Sequence, residues 1–387
     1  MSDAERAKEL FLAGLDRLDR REFAEAERQF RAALELAPGR PSIRTNLAVA
    51  LADQGQNREA LALARELLAE DPGNDEALLV GAKAASETDE ADEALRLWRL
   101  VLDRDIDRIR AHFGIAMAHR QKGELAEALS AYERVLRLQP DHAAANLNRG
   151  NILFEQEKFG QALELYRRAA ASNPGSAQAW IAVGNARLRL AGEIAAGRKP
   201  APGEADHADL SLQAYKRALS IDRNAADAWI GTGRLQLAAG AAAEALRSFD
   251  QSLALAPGSA EALIGRSGAL FDLGRHGEAL APATRATQLM PEESGGWILL
   301  GNVQWALGQF DESLASQDRA IGLDPRLKEA WNGRGNALRN LARPREALEA
   351  YERAIALDPD FAIARDNRAS VVLDLGDEAA TPSGPTH

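Results

Sequence analysis

The segment Lys328–Phe361 reads KEAWNGRGNALRNLARPREALEAYERAIALDPDF. In these 34 residues Trp331, Gly335, Leu338, Ala347, Tyr351, Ala354 and Pro359 hold positions 4, 8, 11, 20, 24, 27 and 32. Moved along the chain, the template keeps finding its residue types. Pro38, Pro72, Pro140, Pro174, Pro257, Pro291, Pro325 and Pro359 are spaced by 34 or 68, except for one step of 83 that equals two periods plus fifteen residues. So strict a period marks a repeat array.

Each unit predicts two helices. Apolar or small residues at positions 4, 7, 8 and 11, and again at 20, 24 and 27, follow helical rather than strand periodicity. Glycine recurs at position 15 (Gly55, Gly123, Gly240, Gly274, Gly308), where a stopping helix needs a residue that accepts the left-handed conformation. Proline at 32 then ends the second helix. Small residues at 8 and 20 allow close approach of the two helices, and aromatic residues at 4 and 24 fill the space beside them.

This pattern resembles the tetratricopeptide repeat family over nearly the whole chain, which implies an all-α, right-handed superhelical solenoid of antiparallel helix pairs. Ten units are read: 7–40, 41–74, 75–108, 109–142, 143–176, 177–225, 226–259, 260–293, 294–327 and 328–361. The third is the weakest, with Gly81 and Ala82 at positions 7 and 8 and Ile106 in place of proline, although Ala94 and Trp98 keep its register. Fifteen extra residues in the sixth, within about Ala191 to Asp209, read as an exposed loop, because glycine, proline and mixed charge crowd there. Residues 362–375 follow the first-helix template up to Gly376. They are expected to cap the array, with Arg365, Asp366, Arg368 and Asp374 outward. Residues 376–387 read as a disordered tail, so 1–375 is expected to be one elongated domain.

The 387 residues carry a formal charge of -11 and no cysteine. The charge disfavours a nucleic-acid partner without excluding a local basic patch, and cysteine chemistry is ruled out. The charged start, Met1–Lys8, and the lack of a long apolar run give a soluble cytoplasmic protein without membrane insertion as the expectation. No catalytic constellation, metal cluster or cofactor motif stands out. Of the histidines, His112 and His119 occupy packing positions 4 and 11 of the fourth unit. His142, His207, His276 and His387 form no ligand set. Gly231-Thr232-Gly233 and Gly333-Arg334-Gly335 lack the third glycine and preceding strand of a nucleotide loop, and are better read as positions 6 and 8, where small residues are needed.

At about 100° per residue, positions 2, 5, 9 and 12 lie on a different face of the first helix from the packing positions. In the resembled family this face lines a concave groove. Position 5 reads Phe11, Thr45, Leu79, Phe113, Leu147, Ile181, Ile230, Ile264, Ile298 and Asn332. Position 12 of units five to nine reads Phe154, Leu188, Leu237, Phe271 and Trp305, and position 9 reads Asn151, Asn185, Arg234, Gly268 and Asn302, with Asn336 following in unit ten. An apolar floor with interspersed amides suits a peptide, whose buried side chains would contribute roughly 25 cal/mol per Å² and whose backbone would meet the amides. The alternative is that positions 5 and 12 are buried between adjacent repeats.

The resemblance also implies two comparisons. Chaperone-binding members clamp carboxylates with basic residues at position 5 and asparagine at 9 and 6. Here Asn336 and Asn367 match, but position 5 is Asn332 and the clamp is absent. Arrays attached to sugar transferases carry asparagine at 6 and 9, matched in part by Asn46, Asn148, Asn151, Asn185, Asn302 and Asn336. The expected function is a non-catalytic scaffold for a peptide or protein segment. The alternatives are a recruiting subunit of a separately encoded enzyme such as a glycosyltransferase, or an array that self-assembles into a homo-oligomer.

Overall fold

The computed structural model describes residues 2–105, 107–195, 197 and 206–380, and among these every regular element is a helix. The helices fall into two compact units, residues 1–175 and 176–387. The first holds α1 (Asp3–Asp19), α2 (Phe23–Leu36), α3 (Pro41–Asp53), α4 (Asn57–Glu70), α5 (Asp75–Ser86), α6 (Ala91–Asp103), α7 (Arg108–Gln121), α8 (Leu125–Leu138), α9 (Ala143–Glu155) and α10 (Phe159–Ser172). The second holds α11 (Ala177–Ala195), α12 (His207–Ile221), α13 (Ala226–Ala238), α14 (Ala242–Leu255), α15 (Ala260–Asp272), α16 (His276–Leu289), α17 (Ser294–Ala306), α18 (Phe310–Leu323), α19 (Lys328–Asn340), α20 (Pro344–Leu357) and α21 (Ala362–Ala380).

Odd and even helices are the first and second helices of the repeats, and within each unit each packs on the next in sequence. Helix starts are fixed by side-chain caps where the sequence supplies them. Ser2 and Glu5 form a reciprocal capping box on α1, and Ser259 Oγ accepts from Ala262 N at the start of α15, each satisfying an amide that has no partner inside the helix. At position 15, Gly55, Gly123, Gly240, Gly274 and Gly308 all have φ between 72° and 77°. Arg21, Glu157 and Ala342 hold the same position with φ of 60°, 59° and 56°, a conformation costing a residue with a Cβ about 1–2 kcal/mol. The register of the stack therefore overrides local preference in those three repeats.

Within each unit the position-24 side chains stand at the centre of the repeat cores. Phe30, Tyr132, Tyr215, Phe249 and Tyr351 are all fully buried, each burial contributing about 2–3 kcal/mol. Tryptophan at position 4 does more than fill space. It lies half-buried, and its indole N–H reaches back to the carbonyl of position 32 in the preceding repeat, as in Trp229 to Arg223 at 3.0 Å, Trp297 to Pro291 at 2.9 Å and Trp331 to Pro325 at 2.9 Å. In repeat five Asn146 Nδ2 makes the equivalent bond to Pro140 at 3.0 Å.

Three expectations need correction. The loop of repeat six starts later than Ala191, because α11 continues to Ala195, and α12 already begins at His207. Nothing lies within 4 Å of where a Gly192 side chain would be, so α11 can extend into open space. Residues 198–205 of that insertion lie outside the described residues. The final helix likewise passes Gly376 and runs to Ala380; residues 381–387 are outside the described set. Lastly, Arg365, Asp366 and Arg368 are exposed as anticipated, but so are Ile363 at 58%, Val372 at 44% and Leu373 at 69%, so the terminal helix is less polar than a cap requires.

Candidate functional site

The position-24 side chain organises each repeat. Tyr215 sits between two glycines: a methyl group on Gly184, position 8 of its own repeat, would lie 2.5 Å from the ring, and one on Gly231, position 6 of the next, 2.2 Å. Phe249 sits in the same way between Gly233 and Gly265, and Gln317 between Gly301 and Gly333. Close approach at positions 6 and 8 therefore accounts for both Gly-X-Gly triplets.

A polar residue in this slot must be satisfied, since a buried donor without a partner costs about 1–3 kcal/mol. The partner comes from position 9. Tyr166 Oη donates to Asn151 Oδ1 at 2.9 Å, Tyr215 Oη to Asn185 Oδ1 at 2.6 Å, Gln317 Nε2 to Asn302 Oδ1 at 3.1 Å and Tyr351 Oη to Asn336 Oδ1 at 2.8 Å. In repeat four Tyr132 Oη meets Met117 Sδ at 3.1 Å. Burial pushes the phenols of Tyr132, Tyr215 and Tyr351 up to about 12 and raises Tyr166 further. Where position 24 is Phe249 or Ala283, position 9 is Arg234 or Gly268. The asparagines were read in sequence as ligand contacts alone, and their internal role was missed. Aligning the chain's own repeats exposes the signal, because asparagine at 9 accompanies tyrosine or glutamine at 24 in repeats five, six, nine and ten.

The side-chain oxygen of each asparagine already accepts one bond from the interior, and its amide N–H groups are the donors it can offer outward. Nδ2 of Asn151, Asn185 and Asn302 makes no hydrogen bond among the described residues. Asn336 Oδ1 accepts a second bond, from Asn367 Nδ2 at 3.2 Å, and that same amide reaches Asn332 Oδ1 at 3.0 Å. The two asparagines that match part of the chaperone clamp are therefore tied to each other.

Within the second unit, each first helix touches the following one, from α11 through α13, α15, α17 and α19 to α21. Their positions 5, 9 and 12 thus form a continuous face. Ile181, Leu188, Leu237, Ile264, Phe271 and Ile298 are half-buried along it and Trp305 is 40% exposed. Ile230 is only 6% exposed, so its side chain belongs to the core rather than the face. Part of the burial comes from the next repeat: Leu237 lies over Gly268, and Ile264 over Gly296. Arg234 is exposed and pairs with Glu261 at 3.2 Å. Leu147, Asn151 and Phe154 belong to the first unit. There Leu147 and Phe154 are half-buried, and the Phe154 ring packs 5.1 Å from Phe159 and 6.4 Å from Tyr166.

Among the described residues no group of three or more metal-ligating side chains converges, and no helix is long and apolar enough to cross a membrane. His119 Nδ1 pairs with Glu124 at 2.5 Å, holding the loop between α7 and α8.

Models of the tetratricopeptide repeat match residues 11–75, 79–143, 113–177, 147–200, 203–260 and 242–294, and two further models of it match 295–327 and 329–361. Among solved structures, a chain of the APC/C hetero-tetramer Cut9–Hcn1 is 14% identical, with 94% of this chain and 76% of that one covered and a TM-score of 0.57. A tetratricopeptide repeat protein from Parabacteroides merdae is 16% identical, with 68% of this chain and 99% of that one covered and a TM-score of 0.50. At these identities the likeness is one of fold. No curated protein matches the chain significantly.

Proposed function

The chain belongs to the tetratricopeptide repeat family, and from that premise we propose that it is a protein-interaction scaffold holding a peptide segment on the first-helix face of repeats six to ten. The observation that carries this reading is a run of half-buried apolar side chains, ending in the exposed Trp305, with the free amides of Asn185 and Asn302 set among them. The apolar groups offer area to a ligand's side chains. The amides are donors with no acceptor of their own, so they select backbone carbonyls.

The experiment is selection of peptides by display on the full chain, followed by affinity measurement on variants. Ile230 is unsuited to this, because aspartate there would bury an unpaired charge and unfold the repeat. Trp305→Ala removes an exposed aromatic of the kind that dominates binding energy, and a loss of about thirtyfold is expected. Equal affinity of the selected peptides for wild type and Trp305→Ala would reject this face.

A further inference from the structure

A candidate second site belongs to the first unit, and its case is independent of the proposed peptide face in the second. Position 4 of repeat four is His112, where repeats six, seven, nine and ten have tryptophan. A cleft of about 630 Å³ lies beside it, lined by Leu102, Asp105, Arg108, His112, Arg134 and Arg137 together with Leu138. His112 is 8% exposed, and neither ring nitrogen has a hydrogen-bond partner among the described residues, whereas the tryptophans bond the preceding repeat from this position.

The charge balance of the cleft is opposite to that of the chain. Three guanidinium groups face one lining carboxylate in a protein of formal charge -11. Arg108 pairs with Asp105 at 3.3 Å and Arg137 with Glu133 at 3.6 Å, both well exposed and weak. Arg134 has no carboxylate partner among the described residues. Burial, with Arg134 and Arg108 adding to it, lowers the His112 pKa, so at neutral pH the imidazole presents one donor and one acceptor. The N-terminus of α7 is already occupied, since the Asp107 side chain accepts from Arg110 N. The cations and the imidazole, rather than the helix end, make the site.

We propose that this cleft binds a phosphate monoester, with the phosphoryl group on Arg134, Arg108 and His112 and its organic body against Leu102 and Leu138. Guanidinium groups match phosphate oxygens in paired hydrogen bonds. The volume exceeds what a bare phosphate fills, and the two leucines supply an apolar wall.

The test is titration calorimetry of the full chain with phenyl phosphate and, separately, with inorganic phosphate, at physiological ionic strength and neutral pH. Saturable phenyl phosphate binding is expected, tighter than that of inorganic phosphate. Arg134→Gln should weaken it about tenfold, as should His112→Phe, which removes both ring nitrogens while keeping a ring of similar size. Arg353→Gln, at an exposed arginine of the second unit, should leave it unchanged. Absence of saturable binding, or equal weakening by Arg134→Gln and Arg353→Gln, would overturn the site. Inorganic phosphate binding as tightly as phenyl phosphate would overturn the organic ligand.

Discussion

Repeats six and seven stand next to each other on the same backbone and solve one packing problem in two ways. Tyr215 and Phe249 are both fully buried between a glycine of their own repeat and one of the next. The two ring side chains differ by a hydroxyl, which in repeat six bonds Asn185 at position 9, whereas the ring without it faces a repeat whose position 9 is Arg234. One oxygen in the interior therefore engages a residue of the first-helix face. A position on a binding face can be set by the interior and still present its remaining atoms to a ligand.

The largest effect that sharpens this comparison is truncation of the ring. Tyr215→Ala or Phe249→Ala should cost about 3–5 kcal/mol in denaturant unfolding, and hydrogen exchange should rise mostly in the flanking repeats, because coupling runs between neighbours. Uniform loosening of the second unit would break the picture. Repeat eight already resembles a truncated repeat, with Ala283 in the slot and Pro282 inside α16. Pro282→Ala should stabilise it by up to about 3 kcal/mol by restoring a helical donor, and in the wild type this repeat should exchange fastest of the four from seven to ten.

Smaller effects isolate the hydroxyl. Asn185→Leu strands the Tyr215 phenol and should cost about 1–3 kcal/mol. Phe249→Tyr should cost about as much beside Arg234, and Arg234→Asn in the same chain should recover most of it. The phenols also give a pH dependence. Tyr132, Tyr215 and Tyr351 are raised from 10.0 to about 12, so their contribution is complete below the unfolded value and is lost as pH rises from 10 through 12. Circular dichroism should show alkaline unfolding in that window, displaced upward by Tyr215→Phe. The smallest change is at the turn: Ala342→Gly relieves φ of 56° and should stabilise by about 1 kcal/mol.

The sequence made the repeat, the helix pairs, the left-handed turns at Gly55 and its equivalents, and the small residues at positions 6 and 8 legible, because each follows from local geometry recurring at a fixed period. Relations between positions were less visible. That Asn185 serves Tyr215, thirty residues away, or that Trp331 bonds Pro325, depends on which atoms meet once helices are stacked. The extents of α11 and α21 were less legible: composition signals an end at Gly192 and at Gly376, yet both helices run on, and at Gly192 no neighbour lies close enough to enforce the end. The face itself was legible as a pattern, while the burial of Ile230 was not, since the adjacent repeat decides it.

The most direct measurement is a double-mutant cycle on Tyr215 and Asn185 by equilibrium unfolding of the full chain, using Tyr215→Phe, Asn185→Leu and the pair. The account predicts that Asn185→Leu is costly beside tyrosine and nearly neutral beside phenylalanine, a coupling of about 1–2 kcal/mol. Additive effects within a few tenths of a kcal/mol would mean that the two positions are independent, and would contradict it.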